Sequence, residues 1–178
     1  MDNSNIKTNY TLKPNFSWAR VNVDKIVNQY FSKKFILLFP FCSPKLSHKK
    51  WLYFNDLIKI IKSKHLNFEI AIAPGPNEIE EATKIESISI TNKDKSLNIM
   101  ELTGLINKAS YVIANDTGPA HMAAHLGQRG IVFFGYHTTP KKVSIETDKF
   151  KAITADNLKH LTAEKVYSEI KRELELIN

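Results

Sequence analysis

Tyr111-Val112-Ile113-Ala114-Asn115-Asp116-Thr117-Gly118-Pro119-Ala120-His121-Met122-Ala123-Ala124-His125-Leu126-Gly127 is the segment on which the rest of this chain depends. Tyr111 to Ala114 is apolar and partly β-branched, long enough for a buried strand and too short for a helix. Asn115 to Pro119 are turn formers. Proline at the first helical position gives up an N–H that would lack a partner anyway, so Gly118-Pro119 signals the start of a helix. Ala120 to Leu126 continues that helix and Gly127 stops it. Asp116, Thr117, Gly118 and His121 therefore gather where the carboxyl end of a strand meets the amino end of a helix.

Such a junction suits phosphate, because unpaired N–H groups and the positive end of the helix dipole meet there. In open α/β sheets it also lines the ligand crevice. Thr117 offers a hydroxyl, Gly118 leaves room for an oxygen near the backbone, and His121 can donate to a phosphate or sugar oxygen. Asp116 repels phosphate; its carboxylate suits sugar hydroxyls or the N–H groups of its own helix. A plain strand–loop–helix joint, with Asp116 or Thr117 as a simple cap, uses the same residue types.

On either side, hydropathy alternates between strand-like and helix-like periods. Short apolar runs predict strands over 35–39, 68–73, 88–91, 131–134 and 150–153. Helical spacing covers 23–31, a segment on Trp51, Phe54, Leu57, Ile58 and Ile61, then 78–85, 97–108 and 162–177. Residues 1–18 have no period and read as an extended lead-in, and 135–140 reads as a loop. Strands alternating with helices predict an α/β fold: a Rossmann-like parallel sheet with helices on both faces.

Other predicted strand ends carry polar residues too. The loop of residues 40–51 offers Ser43 and Ser47 as donors to phosphate and Lys49 as a countercharge for a pyrophosphate, although a solvated surface loop has the same composition. Pro74-Gly75-Pro76-Asn77-Glu78 is a turn followed by an acid that either caps its helix or faces the crevice. Leu97 fits a pocket wall or the core equally well.

The formal net charge is +7, from 25 Lys+Arg against 18 Asp+Glu, which favours anionic neighbours. The lysines are dispersed, and no zinc-finger spacing or aromatic-glycine RNA signature occurs, so nucleic acid is not an expected partner. His121 and His125 have the i, i+4 spacing of a zinc helix but lack its glutamate and a third ligand, so no metal site is expected. Cys42 is the single cysteine, which rules out an internal disulfide and fits a reducing compartment. With no apolar secretory segment or membrane span, a cytoplasmic protein is expected.

Asp116-Thr117-Gly118-Pro119-Ala120-His121-Met122-Ala123-Ala124-His125-Leu126-Gly127 resembles the signature of family 9 glycosyltransferases, the ADP-heptose:lipopolysaccharide heptosyltransferases and their relatives. The loop from Pro40 through Ser43 to Lys49-Lys50-Trp51 is similar to another segment of that family, but with Phe41 in place of the usual glycine and Leu52 in place of a proline. Gly75-Pro76-Asn77-Glu78 and Phe134-Gly135-Tyr136-His137-Thr138-Thr139-Pro140 resemble two more, the latter altered by Tyr136 and an extra residue.

The resemblance implies the C-terminal, donor-binding half of a GT-B enzyme. Residues 1–34 would be linker and crossover helix, and 35–178 the nucleotide-sugar-binding domain. The implied reaction is inverting transfer of a sugar, from ADP-heptose, to lipopolysaccharide or a related glycan. The implied binding residues are Ser43, Lys49, Glu78 (toward the ribose), Leu97 (toward adenine), Asp116, Thr117, Gly118 and His121. No catalytic residue is implied here, since the family's base lies in the N-terminal half, so the chain is not expected to turn over alone. No cofactor is required. The partners implied are the nucleotide-sugar, the glycan acceptor, a separate acceptor-domain chain and a peripheral contact with anionic inner membrane. A non-catalytic binding module, a subunit of a split transferase and a UDP-sugar enzyme remain alternatives.

Overall fold

The computed structural model describes residues 16–178, so most of the expected lead-in, residues 1–15, lies outside the described residues. Six strands form one sheet: β1 (Lys34–Phe39), β2 (Phe68–Ile72), β3 (Ile88–Ser89), β4 (Tyr111–Asn115), β5 (Gly130–Phe134) and β6 (Phe150–Thr154). All pairings are parallel and the order is β3-β2-β1-β4-β5-β6. This is the doubly wound Rossmann-like order, and its direction reverses between β1 and β4.

The central strands are apolar on both faces because both faces are covered. Ile36 and Leu38 of β1, with Tyr111 and Ile113 of β4, pack with α2 (Phe54–Lys64) and α7 (Ala163–Ile177). Their neighbours Phe35, Leu37, Phe39, Val112 and Ala114 point the other way, toward α4 (Ile99–Lys108) and α5 (Gly118–His125). On this second face also lies α1 (Asp24–Tyr30), and Phe31 just after it stacks on Phe35 at 4.0 Å. Gly104 lets the segment before α1 cross α4 closely, since a Cβ there would stand 2.6 Å from the Val21 carbonyl oxygen.

Helix ends follow side-chain chemistry rather than hydropathy. The expected helix from Leu97 starts at Ile99, because Asn98 forms a capping box with Glu101: Asn98 Oδ1 accepts from the Met100 and Glu101 N–H groups, and Glu101 Oε2 accepts from the Asn98 N–H. At Gly127 the backbone turns left-handed (φ 75°), which ends α5 as expected. The acidic segment after Pro74 forms only one turn, α3 (Ile79–Ala82). A short α6 (Pro140–Val143) stands within and beyond the expected loop, entered through Thr139, whose hydroxyl accepts from the Lys142 N–H.

Trp51 departs from expectation by standing outside α2. It is 1 % exposed, and its indole N–H donates to the Leu161 carbonyl at 2.6 Å. Among the described residues no helix is long and apolar enough to cross a membrane.

Candidate functional site

Asn115, fully buried at the end of β4, ties the crevice together. Its Oδ1 accepts from the Trp51 N–H at 3.0 Å and its Nδ2 donates to the Pro40 carbonyl at 2.8 Å. These bonds fix the β1–α2 loop against the β4–α5 junction, at the point where the strand order reverses. Two cavities open there, of about 240 and 320 Å3, sharing Cys42, Ser43 and Thr117.

The first cavity is mainly apolar, walled by Phe39, Ala73, Leu97 and Leu102, with Ser43, Thr117 and Glu78 at its polar edge. Glu78 Oε2 accepts from the Gly75 N–H at 2.8 Å, so its carboxylate braces its own turn and makes no side-chain cap to α3. Phe41 lines this cavity but belongs with its ring to the core cluster that holds Ile36, Leu38 and Trp51. The space beside it stays open.

Lys49, Asp116, Gly118 and His121 line the second cavity with Ser43 and Thr117. All eight residues expected from the sequence thus border one crevice. Thr117 ends the strand geometry, and its carbonyl accepts from the Ala120 and His121 N–H groups while its hydroxyl donates to the Asn115 carbonyl. Nothing lies within 4 Å of where a Gly118 Cβ would stand, so the backbone here is open to a ligand oxygen.

Lys49 does not stand free: its Nζ lies 2.6 Å from Asp116 Oδ2. His137 Nε2 approaches the same oxygen at 3.1 Å, and His121 Nε2 lies 3.3 Å from Oδ1. The Asp116 side chain is 4 % exposed. Burial alone would raise its pKa, but hydrogen bonds from His121, Lys49 and His137, with the charge of Lys49, outweigh burial and hold the carboxyl well below the usual range. An ionised carboxylate can only accept, so both rings present Nε2–H to it.

The whole chain, taken against known families, matches the model of Glycosyltransferase family 9 (heptosyltransferase) over residues 2–171. The chain belongs to glycosyltransferase family 9. It is 32% identical over 120 residues to the lipopolysaccharide core heptosyltransferase OpsX of Haemophilus influenzae, a match covering 64% of this chain and 34% of OpsX. Its fold is similar to that of Escherichia coli ADP-heptose lps heptosyltransferase II (TM-score 0.72, 16% identity, 88% of this chain and 53% of that one). It is similar also to E. coli heptosyltransferase WaaC with ADP (TM-score 0.70, 18% identity, 90% and 50%). The chain thus spans about half the length of these solved relatives and a third of OpsX.

Within this family 9 chain, His137 is the site residue that sequence reasoning missed. It sits in the loop after β5, the strand next to β4, with its side chain 7 % exposed and its ring stacked on Phe134 at 6.0 Å. The available signal was its place, a histidine just past the carboxyl end of the neighbouring strand. Among the described residues no group of three or more His, Cys, Asp or Glu could hold a metal ion. Cys42 borders both cavities, and burial pushes its thiol pKa up, which disfavours a nucleophilic thiolate.

Proposed function

We propose that this family 9 chain holds the nucleotide-sugar donor, ADP-heptose, of an inverting transferase that acts on lipopolysaccharide or a related glycan. The observation that carries this reading is the juxtaposition at the β1/β4 reversal of an apolar slot and a polar chamber joined through Ser43 and Thr117. Adenine fits against Leu97, the ribose hydroxyls meet Glu78, and the diphosphate lies by Ser43, Thr117 and the open Gly118 backbone. Lys49 has three N–H donors, enough to keep Asp116 and reach a phosphate oxygen together. Asp116 then accepts from hydroxyls of the transferred sugar, with His121 at its edge. The names of the relatives, one with bound ADP, support the choice of nucleotide.

In the reaction so read, an acceptor oxygen bonds to the anomeric carbon while the carbon–oxygen bond to ADP breaks, and ADP leaves with the electron pair. Lys49 and the polar groups around it stabilise that developing charge, the main catalytic device such a site offers. The acceptor's proton goes to a base in an acceptor-binding half, with which residues 1–34 would connect residues 35–178. Isothermal titration with ADP, ADP-heptose and UDP tests the assignment: ADP and ADP-heptose bind and UDP binds more weakly. A folded chain that takes up neither adenine nucleotide overturns it.

A further inference from the structure

A separate cavity of about 570 Å3 opens at the carboxyl ends of β5 and β6, between the loop after β5 and the amino-terminal part of α7. Tyr136, Thr138, Asp156, Asn157, His160 and Lys165 line it. Asp116 and Lys49 do not, and the Gly135–Thr139 loop lies between this cavity and the donor crevice. Thr139 spends its hydroxyl on the Lys142 N–H, but most of the other polar side chains here are uncommitted. Among the described residues, the Lys165 ammonium, the Asp156 carboxylate, the His160 ring and the Thr138 hydroxyl make no hydrogen bond or ion pair, and Asn157 uses only its Oδ1, toward the Lys159 N–H. Tyr136 is 76 % exposed, and among the described residues its ring has a single aromatic neighbour, His48, at 5.8 Å.

We propose that this cavity is a saccharide-binding subsite for a sugar that carries an anionic oxygen group, a carboxylate or a phosphate ester. An exposed aromatic face beside clustered hydroxyl, amide and carboxylate groups suits a pyranose: the C–H face of the sugar lies on the ring, whose π-face is negative, while the hydroxyls exchange hydrogen bonds around the rim. Asp156 is the reason to assign a sugar rather than a bare anion. Its carboxylate repels phosphate but accepts from sugar hydroxyls, as an acid does toward ribose. Lys165, across the same cavity, supplies the charge for an anionic substituent at one end of the ligand. That the sugar held here belongs to the glycan acceptor rests on the donor reading above; the binding itself does not.

Amide NMR titrations of the full chain test this with galacturonate and glucose 6-phosphate as probes, against glucose, inorganic phosphate and, separately, ADP. Expected are shifts clustered at Tyr136, Thr138, Asn157 and Lys165 with both anionic sugars, weaker ones with glucose, and none of comparable affinity with phosphate. The galacturonate arm against the glucose 6-phosphate arm tells carboxylate from phosphate ester. Tyr136→Ala and Lys165→Gln each weaken anionic-sugar binding about fivefold, with the ADP isotherm and the remaining amide spectrum unchanged. The proposal is overturned if those amides do not respond, if phosphate alone matches the sugars, or if both variants bind like the parent. Sugar binding without ADP binding leaves the subsite and removes the donor reading; ADP binding without sugar binding does the reverse.

Discussion

Asp116→Asn separates the charge of the central carboxylate from its shape. The amide oxygen can keep the side that Lys49 and His137 now share, where the carboxylate oxygen lies 2.6 and 3.1 Å from their nitrogens. The amide NH2 then faces His121 Nε2, which can accept by changing tautomer. What is lost is the charge assistance of three hydrogen bonds and the partner of a Lys49 side chain that is only 20 % exposed. A hydrogen bond to a charged group contributes about 1.5–3 kcal/mol, and part of that survives with a neutral acceptor, so the expected loss is about 2 kcal/mol at pH 7. For a chain of this size that lowers Tm by about 4–8 °C. The sign with pH follows from the depressed carboxyl pKa: the stabilisation is complete above the unfolded value near 3.9 and is lost as pH falls below it toward the folded one. The gap between parent and variant therefore narrows by about 1 kcal/mol from pH 5 to pH 3. Urea unfolding at closely spaced pH values measures it. A gap under about 0.5 kcal/mol at pH 7, or one that stays constant down to pH 3, would refute the argument.

Three further outcomes are expected. Lys49→Met weakens ADP binding about tenfold or more in isothermal titration, since a diphosphate loses its one cation from the β1–α2 loop that reaches Asp116; unchanged affinity would remove Lys49 from the diphosphate site. Cys42 reacts with iodoacetamide more slowly than a free thiol, because burial raises its pKa, and on the proposed reading saturating ADP slows it further because Cys42 borders both cavities; equal rates with and without ADP would place the nucleotide elsewhere. Gly130→Ala destabilises by about 3 kcal/mol in urea titration, since the new Cβ meets the Val112 carbonyl oxygen of β4 and stands 2.6 Å from the Phe150 ring of β6.

What the sequence reveals of this molecule is whatever is encoded at short range. Strands buried on both faces leave continuous apolar runs, so 35–39, 111–114 and 131–134 are legible to within a residue or two of β1, β4 and β5. Trp51 was misread because it keeps helical phase with Phe54, Leu57 and Ile58, while its position is set by two distant partners, Asn115 and Leu161. Helix α6 has too few residues to show a period, and its sign was the Thr139-Pro140 cap.

The same distinction runs through the site. Ser43, Lys49, Glu78 and Asp116 could be placed because each follows the end of a strand that the hydropathy shows. The web around Asp116 could not, because only His121 among its three partners is near in sequence, while Lys49 and His137 lie 67 and 21 residues away and meet it only through the fold. Asn115 pairs with Phe133, so Asp116 stands level with Phe134, and the next loop necessarily passes over it. The loop Gly135-Tyr136-His137 thus acts in two directions. His137 turns inward to fix the carboxylate, and Tyr136 turns outward to offer an aromatic face. A change confined to this loop should therefore alter the surroundings of the carboxylate and the neighbouring cavity, while leaving the apolar cavity on the β1 and β2 side untouched.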